Sequence, residues 1–236
     1  MNKLCTILLA LNFLAFRQSA AATEEICMPN QSQSDDAQHQ HCDKHSRPFQ
    51  NADEFATKFD DPSRDEWQKP DEIFNLIDLK DTDKLADIGA GTGYFTIRGA
   101  KRVPNGLVYA VDAEPEMLSY IHKRAKGLGL NNIKTCQSHH HQVMLPEPVQ
   151  AILIVNTYHH IDDRSAYFTS LKRWLAPDGQ LVIVEGKPGT PMEPPPQLRV
   201  AQQQIVTELE QVGYSLCKES TALPYQSLQI FTLKQR

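Results

Sequence analysis

Three glycines fall within five residues, Gly89-Ala90-Gly91-Thr92-Gly93, after the run Leu85-Ala86-Asp87-Ile88 and before Tyr94-Phe95-Thr96. This stretch restricts the fold more than any other in the 236-residue chain. Glycine at alternate positions lets the backbone turn sharply and lets a ligand come close, because no Cβ intervenes. A strand that feeds such a turn and then a helix is the opening unit of an α/β sheet whose ligand sits at the carboxyl ends of its strands. The plain alternative is a glycine turn that holds nothing.

The pattern downstream continues that sheet. Strand one is Lys84 to Ile88, and the helix after the glycines runs through about Arg102. Val103-Pro104-Asn105-Gly106 turns the chain into a second strand, Leu107 to Val111, ending at Asp112. A helix from Pro115 to about Gly127 and a short strand, Ile133 to Gln137, follow. Ala151-Ile152-Leu153-Ile154-Val155 is apolar throughout, which suits a central strand covered on both faces. A helix is expected over Asp162 to Leu175, a turn at Pro177-Asp178-Gly179, and a fifth strand over Gln180 to Glu185. Gly186 to Pro196 reads as a long irregular loop able to act as a lid, and Gln197 to Val212 as a helix. Tyr214 to Thr221 and Gln226 to Leu233 then form an antiparallel hairpin around Pro224. Upstream, Pro70-Asp71-Glu72 opens a helix, and Phe55, Phe59 and Trp67 supply aromatic anchors. Trp67 suits either a place across a ligand mouth or a place in the core.

The N-terminal part differs. Leu4 to Phe16 is mostly apolar behind Lys3, and Ala20-x-Ala22 offers a cleavage signature before Thr23. Residues 1–22 therefore read as a secretory signal peptide, with an uncleaved membrane anchor as the alternative. After its removal no stable membrane span is expected, and the protein is expected outside the cytoplasm, in the periplasm. Residues 23–50 are rich in Gln, Ser, Asp and His and are expected to be disordered, with the folded domain covering 51–236. An exported chain permits disulfides, and Cys27 with Cys42 is the favoured pair. Cys136 and Cys217 fall in strands and read as small buried apolar side chains. His39, His41, Cys42 and His45 could bind Zn or Cu, but their spacing matches no closed four-ligand site. The net charge of −5, with no basic stripe, argues against nucleic acid as the main partner.

Chemistry concentrates at three places. The glycines depart from the dinucleotide fingerprint Gly-x-Gly-x-x-Gly, since the third arrives one residue early and Tyr94 takes its place. Asp87 would oppose a pyrophosphate and suit a ligand carrying an ammonium group. Asp112, about twenty residues past the glycines, suits the two hydroxyls of a ribose, or alternatively caps the Pro115 helix. Asn156, Tyr158, His159 and His160 follow the central strand, at the end where such sheets bind ligands.

Asp87-Ile-Gly-Ala-Gly-Thr-Gly93, Val111-Asp112 and Asn156-Thr-Tyr-His-His-Ile161 together resemble the class I S-adenosylmethionine-dependent methyltransferases over about Asp65 to Leu233. The likeness is strongest to small bacterial proteins of the ubiquinone/menaquinone-methyltransferase-like type. It implies a Rossmann-like α/β fold: a seven-stranded, mostly parallel sheet with an antiparallel last strand and helices on both faces. It also implies S-adenosyl-L-methionine as cofactor and a small-molecule or lipid-like methyl acceptor.

By that resemblance Asp87, Gly89, Ala90, Gly91, Thr92 and Gly93 hold the methionine part, Tyr94 also meets the cofactor, and Asp112 holds the ribose. Ala113 and Met117 line the adenine pocket, and Asn156 also meets the cofactor. Many relatives carry an acid just after strand three. This chain has Ser138-His139-His140-His141 there, so Ser138 and His139 flank the adenine in its place. His159 or His160 is the candidate general base, Tyr158 the residue positioning the acceptor, and Glu185 a weaker catalytic candidate. Packing and helix capping are the alternative roles for the two histidines. No metal is expected in the folded domain. Two further readings are an NAD-dependent dehydrogenase and an exported metal-binding protein on a degenerate methyltransferase scaffold.

Overall fold

A computed structural model describes residues 51–138 and 142–234. The proposed signal segment, the 23–50 segment with its Cys27–Cys42 pair and histidine cluster, and His139 lie outside the described residues. No described helix is long and apolar enough to cross a membrane.

Seven strands form one sheet: β1 (Lys84–Ile88), β2 (Leu107–Asp112), β3 (Ile133–Gln137), β4 (Val149–Val155), β5 (Leu175–Gly186), β6 (Tyr214–Ser220) and β7 (Gln226–Leu233). Their order is β3-β2-β1-β4-β5-β7-β6, and only β7 runs against its neighbours. The sheet reverses direction of growth at β1–β4, where open α/β sheets place ligands. Residues alternate between the faces. Ile152 and Ile154 join the cluster of Tyr158, Phe168, Leu209 and Phe231, while Leu153 and Val155 join that of Ile73, Phe74, Phe95 and Val184. Burying each such aliphatic side chain contributes about 1.5–3 kcal/mol, so the central strand anchors both faces.

Helices α1 (Ala52–Phe59), α2 (Arg64–Gln68) and α3 (Pro70–Leu76) precede the sheet. The remaining helices are α4 (Tyr94–Arg102), α5 (Pro115–Gly127), α6 (Arg164–Leu171) and α7 (Gln202–Gln211).

The expected elements need four corrections. The helix expected over 162–175 is α6 followed by a 3-10 turn, Lys172–Trp174; Asp163 starts it by accepting from Ala166 N–H at 3.0 Å. Pro177-Asp178-Gly179 does not separate helix from strand. It is a bulge within β5, where the pairing jumps from Val149↔Leu175 to Ala151↔Gln180. The helix expected from Gln197 begins only at Gln202: Pro196–Leu198 is a short 3-10 turn, and Arg199 and Ala201 after it are extended, with ψ of 130° and 144°. Cys217 is exposed rather than buried, since β6 is an edge strand; Cys136 is buried as expected.

Candidate functional site

The glycine loop is fixed from below by β2. Gly89 and Ala90 N–H both donate to Val111 O, at 2.9 and 3.1 Å, and Gly91 N–H donates to Asp112 Oδ2 at 2.8 Å. The pairing Ile88↔Val111 makes this possible by setting the two strand ends side by side. Gly89, Gly91 and Gly93 all have positive φ, at 73°, 54° and 85°, which only glycine adopts cheaply. A Cβ on Gly89 would overlap Thr157 Oγ1 and stand 2.7 Å from its Cγ2. The loop after β4 therefore presses directly on the turn.

Asp87, next to last in β1, is 3% exposed. Its Oδ2 accepts from Thr96 Oγ1 at 2.6 Å, and burial raises its pKa from 3.8 to about 6. Asp112 is raised too, chiefly by burial, while the N–H groups of Glu114 and Gly91 pull it down. Its two oxygens each accept one backbone N–H, with Oδ1 3.0 Å from Glu114 N. Because a carboxylate has about four acceptor positions, the residue can brace the loop and still receive hydroxyls. Thr92 Oγ1 is buried with no hydrogen-bond partner among the described residues.

Above the loop lie α1 and α2. Phe59 would meet a Cβ on Gly91 at 3.6 Å. Arg124 ties Asp60 at 2.7 Å to Thr92 O at 3.0 Å. Tyr94 donates its hydroxyl to Asp65 and is sandwiched between the guanidinium groups of Arg64 and Arg98, each 3.8 Å from its ring centre. Arg98 also binds both oxygens of Asp65, at 2.6 and 2.8 Å. Trp67 rests on Tyr225 with ring centres 6.0 Å apart.

A chain of buried amides crosses the site. Gln68 Nε2 donates to Gln226 Oε1, and Gln226 Nε2 donates to Asn156 Oδ1 at 2.7 Å. Asn156 has φ +51°, a strained value that asparagine tolerates better than most residues. Sequence reasoning missed Gln226 and Arg64, and met Gln68 only as the neighbour of Trp67 in the stretch Trp67-Gln68-Lys69-Pro70. Glutamine in a strand and arginine on a short helix carry no periodic signal, and the glutamines meet across 158 residues.

After β4 the chain makes a 3-10 turn, Tyr158–His160. His159 Nδ1 lies 2.8 Å from Glu185 Oε2, at the end of β5, and both side chains are largely buried. Glu185 Oε1 is buried with no other hydrogen-bond partner among the described residues. The parallel register Val155↔Val184 creates this pair. His159 also lines a cleft of about 220 Å³ with Ile161, Arg164, Leu198, Arg199 and Val200.

His160 is exposed and its ring lies against that of His159, tilted by 42° with ring centres 4.2 Å apart. Tyr158 is corrected. It has no exposed surface, its ring stacks on Phe168, and its hydroxyl donates to Glu208 at 2.7 Å, so it is a packing residue with nothing to offer an acceptor. Met117 is buried on α5, Ala113 follows Asp112 and accepts weakly from Gln137, and Ser138 N–H donates to Asp112 O at 2.9 Å. No group of three or more His, Cys, Asp or Glu able to hold a metal occurs among the described residues.

Residues 85–179 match the family described as "Methyltransferase domain". The fold superposes on a SAM-dependent methyltransferase from Aquifex aeolicus with TM-score 0.70 and 26% identity, over 77% of this chain and 97% of that one. Residues 85–179 are thus a methyltransferase domain, set in a fold shared with a SAM-dependent methyltransferase. Among curated relatives, this chain is 30% identical over 128 residues to an uncharacterised methyltransferase of Schizosaccharomyces pombe, covering 50% of this chain and 46% of that one. It is 25% identical over 105 residues to (S)-coclaurine N-methyltransferase of Thalictrum flavum, covering 44% and 29% respectively. The chain thus spans less than half the length of these curated relatives.

Proposed function

We propose that this methyltransferase takes the methyl group of S-adenosylmethionine to a small-molecule acceptor. The single observation that carries the reading is the joined loop: a buried acid before positive-φ glycines, with Asp112 bonded to Gly91 N–H. Asp87 suits the ammonium group of the donor and would repel a pyrophosphate, which favours this donor over NAD. The glycine turn leaves room for the aminoacyl chain, and Asp112 keeps acceptor positions for the ribose hydroxyls.

The donor's sulfonium is an activated leaving group, so the chain's main task is alignment, worth roughly 7–11 kcal/mol. Glu185 fixes the ring of His159 through Nδ1, which leaves Nε2 to remove a proton from an acceptor that enters by the adjoining cleft. The amide chain Gln68–Gln226–Asn156 holds the loop after β4 in its strained form under that histidine.

Titration calorimetry with S-adenosylhomocysteine tests the reading. Micromolar binding is expected, and no heat at millimolar ligand would end it. Screening acceptors with labelled donor then names the substrate. We further propose export to the periplasm after cleavage before Thr23. The mass of the mature N-terminus decides that point, and a retained Met1 refutes it.

A further inference from the structure

We infer that Arg64 is the recognition residue for the donor's carboxylate, so that Arg64 and Asp87 together read the zwitterionic aminoacyl end of the ligand. This assignment rests on the donor reading above. Six arginines are hydrogen-bonded among the described residues, and four of them have a carboxylate of their own. Arg98 has Asp65, Arg124 has Asp60, Arg164 has Glu208 and Arg199 has Glu193. Arg102 meets Asn75 on the exposed surface, whereas Arg64 is half-buried beside the glycine turn. Among the described residues its guanidinium meets only neutral acceptors: Nη1–H donates to Phe59 O at 2.7 Å, while Nε–H and Nη2–H donate to Gln68 Oε1 at 3.3 and 3.2 Å. Those bonds use three of its five N–H groups, leaving two of the planar fork for a ligand.

The place of the guanidinium fits a carboxylate beside the glycine turn. It lies flat on Tyr94, the first residue of α4 after Gly93, and it feels the charge of Asp87 without forming an ion pair with it. Desolvation lowers its pKa to about 10, so it stays a cation; Asp60 and Asp87 attract it from nearby, but no described carboxylate forms an ion pair with it. Asp87 is the mirror case, a buried acid that among the described residues is hydrogen-bonded by Thr96 and paired with no cation. An α-amino acid group placed between them supplies an ammonium to one and a carboxylate to the other. Gln68 sets the aim. Its Oε1 receives both Arg64 donors, while its Nε2 is held by Gln226 and so by the loop after β4.

Packing alone is the rival account, in which Arg64 only glues α2 to Tyr94. Removing the group from the ligand separates the two. Calorimetry would compare S-adenosylhomocysteine, its decarboxylated analogue and methylthioadenosine, which lacks the aminoacyl group, on wild type and Arg64→Gln. Wild type is expected to favour S-adenosylhomocysteine over the decarboxylated analogue by roughly 10- to 100-fold. In Arg64→Gln that preference should fall to about threefold or less, with affinity for the decarboxylated analogue and for methylthioadenosine nearly unchanged. Arg64→Lys keeps the charge over Tyr94 but not the fork; it should lose part of the preference, and it decides the matter if Arg64→Gln does not fold. Equal weakening of all three ligands, or an unchanged preference, overturns the assignment while the donor reading stands. Wild type that binds none of the three overturns both.

Discussion

Asp87→Asn should make the ligand-free protein more stable at neutral pH while weakening its hold on the donor. The cause is the cost of a buried charge. The Asp87 carboxyl titrates near 6 in the folded chain against 3.8 when unperturbed, a rise of about two units. At 1.36 kcal/mol per unit, its ionised form opposes folding by about 3 kcal/mol. The sign follows from which state keeps the proton. Below the unfolded value both states are neutral and nothing is lost. Between 3.8 and about 6 the unfolded chain ionises first, so stability falls as pH rises. Above about 6 the full cost is present. Asparagine is neutral throughout and its Oδ1 can still accept from Thr96 Oγ1, although its buried NH₂ gives back about 1–2 kcal/mol. The net gain expected near pH 7.5 is therefore about 1–2 kcal/mol, shrinking to zero or reversing near pH 4.5. Urea unfolding at the two pH values reads the difference directly, and calorimetry at the higher pH should show S-adenosylhomocysteine bound at least tenfold more weakly. If the variant is less stable by the same margin at both pH values, the Asp87 charge carries no such cost and the reasoning fails.

Three other perturbations address different parts of the site. Gly89→Ala should cost about 2–4 kcal/mol by urea denaturation, from its positive φ and the overlap with Thr157; in a Thr157→Ala background about 1 kcal/mol should return, and strict additivity would remove the overlap from the account. Gln226→Leu strands the amides of Gln68 and Asn156, so a loss of about 2–5 kcal/mol is expected in thermal unfolding; an unchanged melting temperature would deny the amide chain its role. With an acceptor in hand, His159→Gln should lower kcat/KM by about 10²- to 10⁴-fold, and Glu185→Gln, which frees the ring, by about tenfold; full retention of rate in both variants would show that no base is used.

Local chemistry made much of the fold legible. Gly89, Gly91 and Gly93 act through their own φ angles, and Ile152 to Val155 act through burial on two faces, so both could be read without knowing their neighbours. Element ends were less legible where tertiary pairing overrode a local signal. Pro177-Asp178-Gly179 has turn residues, yet β4 pairs with the chain on either side of it and absorbs the triplet as a bulge. Cys217 has the apolar character of a strand residue, yet it stands exposed on the edge strand β6.

The sequence by itself determined the sheet, the turn, and the acids at 87 and 112, because each depends on a few adjacent residues and their preferred backbone angles. It also marked His159 and Glu185 one at a time. Only the tertiary structure made them a pair, since the β4–β5 register decides which strand-end residues face each other. The same holds for Gln68, Gln226 and Asn156, and for an arginine left without a carboxylate. Whether a polar side chain is satisfied depends on groups that lie far away in sequence and near only in the fold.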